Sequence, residues 1–182
     1  MAQAQTFREE VHMDVWGPSP SLSLGRCKYY VTFTDDSSRY TQLQVLWTKD
    51  EAFEAYKSFL AWAQTQHGVQ IKRLRSDHGS EFMSNQFTVF LQQQGTECCL
   101  TMVDTPQHNG VAKSLNCRLM EHACAILHQA NLPKTLWAKA VLHMVWLKNR
   151  TSTKALGTVT PYEKLYKEKP NLGNVLEWGQ SV

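Results

Sequence analysis

Apolar and polar residues alternate in three runs near the start of the chain. Over residues 9–16, Val11, Met13 and Val15 fall on one face and His12, Asp14 and Trp16 on the other, the two-residue period of a strand. Gly17-Pro18-Ser19-Pro20-Ser21 ends that run. Residues 28–34 are rich in Tyr, Val, Thr and Phe, which suit a second strand. Asp35-Asp36-Ser37-Ser38 is turn chemistry. Residues 40–47 alternate again, with Leu43, Val45 and Trp47 on one side, and predict a third strand hairpin-paired with the second.

The period then lengthens. Phe53, Tyr56, Phe59, Leu60 and Ala63 recur at helical spacing over 50–66, with Asp50 or Thr48 as the cap and His67-Gly68 as the stop. Residues 71–76 form a fourth strand, 85–94 a short helix closed by Gly95, and 97–102 a fifth strand. A long helix is predicted over 109–129, its core stripe being Val111, Leu115, Leu119, Ala123, Ile126 and Leu127. Another covers 134–149, with Trp137, Val141, Met144, Val145 and Trp146. Thr160-Pro161-Tyr162-Glu163 starts a last short helix with Pro in its first turn. Few apolar anchors follow, so 1–166 is expected to be one domain and 167–182 a loosely held tail.

Composition narrows the class without naming a function. A chain of 182 residues suits one domain with a sizeable core. Its formal net charge of +3 is compatible with nucleic acid and no more than that. No apolar run approaches the ~20 residues that span a bilayer, and the N-terminus lacks a basic-then-apolar leader, so no membrane partner is expected. The five Cys form no CxxC pair, and the seven His do not group with them at zinc-ligand spacing, so reduced thiols in an intracellular protein are expected. Cys98 and Cys99, neighbours in a strand, point to opposite faces and should not bridge each other.

Three stretches hold candidate chemistry. Asp77 ends the fourth strand, in Leu74-Arg75-Ser76-Asp77-His78-Gly79, at the kind of strand end where open α/β sheets place ligands. Asp14 sits mid-strand, where a carboxylate needs a partner or a cation. The long helix opens at Thr105-Pro106-Gln107-His108-Asn109-Gly110-Val111-Ala112-Lys113.

These stretches, with His12-Met13-Asp14-Val15-Trp16-Gly17-Pro18, Asp35-Asp36-Ser37-Ser38-Arg39-Tyr40, Leu132-Pro133-Lys134, Leu136-Trp137-Ala138, Asn149-Arg150 and Thr160-Pro161-Tyr162-Glu163, resemble the integrase catalytic core of copia-type retrotransposons over nearly the whole chain. The resemblance implies an α/β, ribonuclease H-like fold: a mixed five-stranded sheet flanked by helices. It implies DNA integration by polynucleotidyl transfer, with two Mg²⁺ or Mn²⁺ ions about 4 Å apart clamping the attacking and leaving oxygens. Asp14 and Asp77 then map onto metal ligands. Gln107, His108, Asn109 and Arg75 map onto nucleic-acid contacts, to DNA and by extension RNA. A homodimer and, for a working element, a nuclear location also follow from it.

One departure governs the functional reading. The family's third acid is a Glu thirty-five residues beyond the second Asp, and counting 78–112 brings that position to Lys113. Ammonium has no lone pair for a metal. The expectation is a core that keeps its fold and nucleic-acid surface but is catalytically dead, with Lys113 serving as an internal counter-ion to the two Asp. One alternative is an active enzyme using Asp14, Asp77 and a substitute ligand such as Glu81 or Asp104. Another is a non-catalytic dimerisation module.

Overall fold

The computed structural model describes residues 10–76, 85–100, 110–173, 175 and 178. Five strands form one sheet: β1 (Glu10–Trp16), β2 (Tyr29–Asp35), β3 (Thr41–Leu46), β4 (Arg73–Ser76) and β5 (Glu97–Leu100). Their order is β3-β2-β1-β4-β5. The hairpin partners β1, β2 and β3 are antiparallel, whereas β4 and β5 add in parallel beside β1. Parallel neighbours need crossovers, and helices supply them. α1 (Ala52–His67) leads from β3 to β4, and α2 (Asn85–Gln94) from β4 to β5.

Strand alternation divides the side chains between two cores. Val11, Met13, Val31, Phe33 and Leu74 pack with Tyr56, Phe59 and Ala63 of α1 and Phe87 and Leu91 of α2. On the other face, Tyr30 meets Leu115, Leu119, Ala123 and Leu127 of α3 (Gly110–Gln129) and Trp137, Val141, Met144 and Val145 of α4 (Trp137–Arg150). The sheet is therefore sandwiched by helices, as expected. Both α1 and α2 stop at left-handed glycines, Gly68 at φ 67° and Gly95 at φ 66°, where a side chain would be strained. A short α5 (Pro161–Tyr166) follows, its Thr160 hydroxyl accepting from the Glu163 N–H at 3.1 Å. Trp178 packs on the second core and lies 4.9 Å from the His143 ring.

Local details depart from the sequence expectation. Thr48 and Asp50 do not cap α1: a 3₁₀ turn at Lys49–Glu51 precedes it, and Thr48 makes no side-chain cap bond. Instead, the Glu51 carboxylate accepts the Trp47 N–H at 2.8 Å. Trp47 does not continue the β3 stripe either. It is 63% exposed, its indole donating to the Gly25 carbonyl at 2.9 Å. A second 3₁₀ turn, Lys134–Leu136, takes the place of the first turn expected for α4.

Candidate active site

β1 occupies the centre of the sheet, where pairing switches from antiparallel to parallel. Its alternation puts Glu10, His12, Asp14 and Trp16 on the α3 side. Asp14, opposite Thr32, is 5% exposed. Such burial demands partners for the carboxylate. Asn116 of α3 supplies one, its Nδ2 donating to Asp14 Oδ2 at 2.8 Å. The Asn116 amide is itself braced. Its Oδ1 accepts from the Thr32 hydroxyl at 3.4 Å, and its main-chain carbonyl accepts from the Tyr30 hydroxyl at 3.4 Å. Burial, then the Asp14 charge, push the Tyr30 phenol far above its ordinary range, so Tyr30 stays a neutral donor.

Lys113 lies one turn before Asn116 on α3 and is exposed. Three helical residues advance about 4.5 Å and return to nearly the same side, so position 113 stands beside the residue that holds Asp14. Asp77, Gln107, His108 and Asn109 lie outside the described residues, as do Glu81 and Asp104. The convergence of Asp14 with Asp77 is thus also outside them.

Arg75 is brought to the same face, toward the start of β1. Its Nε lies 2.7 Å from Glu10 Oε1, and Arg73 approaches the other Glu10 oxygen at 3.7 Å. His12 sits between two acids, with Nε2 3.2 Å from Asp36 Oδ1 and 3.8 Å from Glu10 Oε1, while Arg39 holds Asp36 at 3.1 Å. Asp35 does turn work, accepting from the Ser38 N–H and hydroxyl at 2.6 and 2.7 Å. Cys98 and Cys99 are free thiols.

Among the described residues, the groups around Asp14 are not those a two-metal centre would need by themselves. Mg²⁺ asks for oxygen ligands. Here the carboxylate is met by an amide N–H, and the helix position one turn earlier carries an ammonium. Among the described residues, no three His, Cys, Asp or Glu side chains converge where an ion would be held.

A mixed sheet in this order, helices on both faces and a buried Asp on the central strand define the ribonuclease H-like class. The chain belongs to the integrase core domain family, whose model matches residues 8–106. It is 38% identical over 159 residues to the retrovirus-related Pol polyprotein from transposon TNT 1-94 of Nicotiana tabacum, covering 87% of this chain and 12% of that protein. It is 32% identical over 171 residues to the Pol polyprotein from transposon RE2 of Arabidopsis thaliana, covering 94% and 12% respectively. The chain therefore spans about an eighth of the length of these curated relatives. Among solved structures it is similar in fold, with a TM-score of 0.71 at 14% identity, to a chain of the simian T-cell lymphotropic virus intasome in complex with PP2A regulatory subunit B56 gamma, covering 97% of this chain and 60% of that one.

Sequence reasoning placed Asp14 correctly on the face opposite the Val11–Met13 core. It did not single out Asn116. The available signal was an Asn in the helix one turn after position 113, at a place where helical phase turns it toward the sheet.

Proposed function

We propose that this chain is a copia-type integrase core whose phosphoryl-transfer chemistry is lost, and which keeps a surface for nucleic acid. The observation that carries the reading is Lys113, exposed one turn from the Asn116 amide that holds Asp14. At the family's third acidic position, a group of charge +1 stands where −1 is needed. Like charges repel, so an ammonium at this position opposes any dication recruited to Asp14. Lys113 then acts as a built-in counter-ion of the acidic pair Asp14 and Asp77. Arg75, with Gln107, His108 and Asn109, makes the nucleic-acid surface, through phosphate contacts that position without reading sequence.

Strand-transfer and nuclease assays with Mg²⁺ or Mn²⁺, on the parent chain and on Lys113→Glu, test it. The parent should show no turnover above background. Lys113→Glu should regain metal-dependent cleavage and a melting temperature that rises with Mg²⁺. Metal-dependent turnover by the parent that Asp14→Asn abolishes would overturn the proposal.

A further inference from the structure

The outward face of α3 carries Cys117, Glu121, Cys124 and His128, all exposed. At ~100° per residue they fall at about 0°, 40°, −20° and 20°, inside an arc of roughly 60°. Leu115, Leu119, Ala123 and Leu127 occupy the opposite, buried side. The four therefore make a straight stripe built from zinc-ligand types: two thiols, an imidazole and a carboxylate. Each half, Cys117 with Glu121 and Cys124 with His128, is an i, i+4 pair. That spacing lets side chains on successive turns grip one ion. One helix presents only two such groups to an ion at a time, and among the described residues no three ligands converge within one chain. A site here is incomplete without a second copy.

The spacing itself supplies the geometry of that copy. The stripe is symmetric about a point between residues 122 and 123. An antiparallel α3 from a second copy would lay Cys124 and His128 against Cys117 and Glu121 of the first, and the reverse at the other end. Ala125 flanks the stripe and leaves room for close approach, while Arg118 supplies positive charge beside the thiolates.

We propose that Zn²⁺ bridges two copies of this chain through α3, at two equivalent tetrahedral sites about 10.5 Å apart along the helix. Each site takes Cys124 and His128 from one copy and Cys117 and Glu121 from the other. Thiolates select Zn²⁺ over Mg²⁺ or Ca²⁺. Each ion displaces two thiol protons, so affinity rises with pH through the thiol range. The inference is independent of the reading of Lys113 and Asp14.

The test is Zn²⁺ titration of the whole chain in a non-thiol reductant, followed by light scattering and bound-metal analysis. Expected are one Zn²⁺ per chain, a doubling of mass that EDTA reverses, and thiolate-to-metal charge-transfer absorption when Co²⁺ replaces Zn²⁺. Cys124→Ala with His128→Ala, and separately Cys117→Ala with Glu121→Ala, should each abolish the mass change. All four positions are exposed, so these variants should melt with the parent in EDTA, and Asp14→Asn should still dimerise. A monomer at saturating Zn²⁺, or dimerisation that survives either double substitution, would overturn the proposal.

Discussion

Replacing Lys148 with Met should remove most of the pH dependence of stability between about pH 7 and pH 10. Lys148 lies near the end of α4, its ammonium donating to the Arg39 carbonyl and to the Thr41 hydroxyl, the latter at 2.6 Å. Among the described residues no carboxylate pairs with it. Burial, followed by the charges of Arg39 and Arg118, pushes it down to about 7. In the unfolded chain it titrates near ~10.4. Between those values the unfolded chain holds the proton and the native chain does not, so stability rises with pH. Below about pH 7 the penalty is present in full. The ceiling is about 1.4 kcal/mol per pH unit, and the residue's partial exposure lowers it to about 1, so the gain from pH 7 to pH 9 is about 2 kcal/mol. Cys98 and Cys99, whose thiols burial pushes up, work in the opposite sense at higher pH, because the native chain then keeps protons the unfolded chain releases. The difference between parent and Lys148→Met cancels that contribution. Urea unfolding of both proteins at a series of pH values, with the m-value checked for constancy, measures it. A stability difference that stays flat across the window would refute a desolvated ammonium at this position.

Asn116→Ala leaves Asp14 without its 2.8 Å donor in a buried setting and should cost about 1–3 kcal/mol in denaturant unfolding. Asn116→Asp sets a second carboxylate there, so it should be worse at neutral pH and recover on acidification; equal melting of parent and Ala variant would count against this account of Asp14. Asn149→Ala breaks two buried bonds to Thr41, at 2.9 Å to its N–H and 2.7 Å from its carbonyl. It should cost about 2–3 kcal/mol and speed hydrogen exchange of the Thr41 amide, and unchanged exchange there would argue against it.

Strands and helices were legible where local pattern decides them. Alternation in β1 separated Val11 and Met13 from Asp14, and Gly68 and Gly95 announced the helix stops. The start of α1 was misread because Thr48 offers capping chemistry, and nothing local shows that Glu51 would satisfy the Trp47 N–H instead. Trp47 was misread because alternation cannot tell a buried stripe from a ring lying over a loop carbonyl. The bonds joining Asn116 to Asp14 and Asn149 to Thr41 span 102 and 108 positions. Such pairings have no period and no motif, so they become visible only once the sheet and helices are assembled. The substitution at Lys113 was readable from a count. What it faces depends on Asn116, and that was not.

The two bonds between Asn149 and Thr41 also bear on how the molecule behaves in company. Thr41 opens the outer strand of the sheet, opposite Thr34. Since its N–H and carbonyl turn to Asn149, Thr41 and Thr34 form a non-hydrogen-bonded pair, and by alternation Leu43 and Val45 direct their main-chain groups the same way. A row of that kind is a template on which a foreign strand can grow. The Asn149 amide imitates one residue of such a strand and occupies the first rung. α4 thereby works as a stopper against self-templated aggregation, and chains truncated before it would be expected to polymerise through this side rather than stay as separate particles.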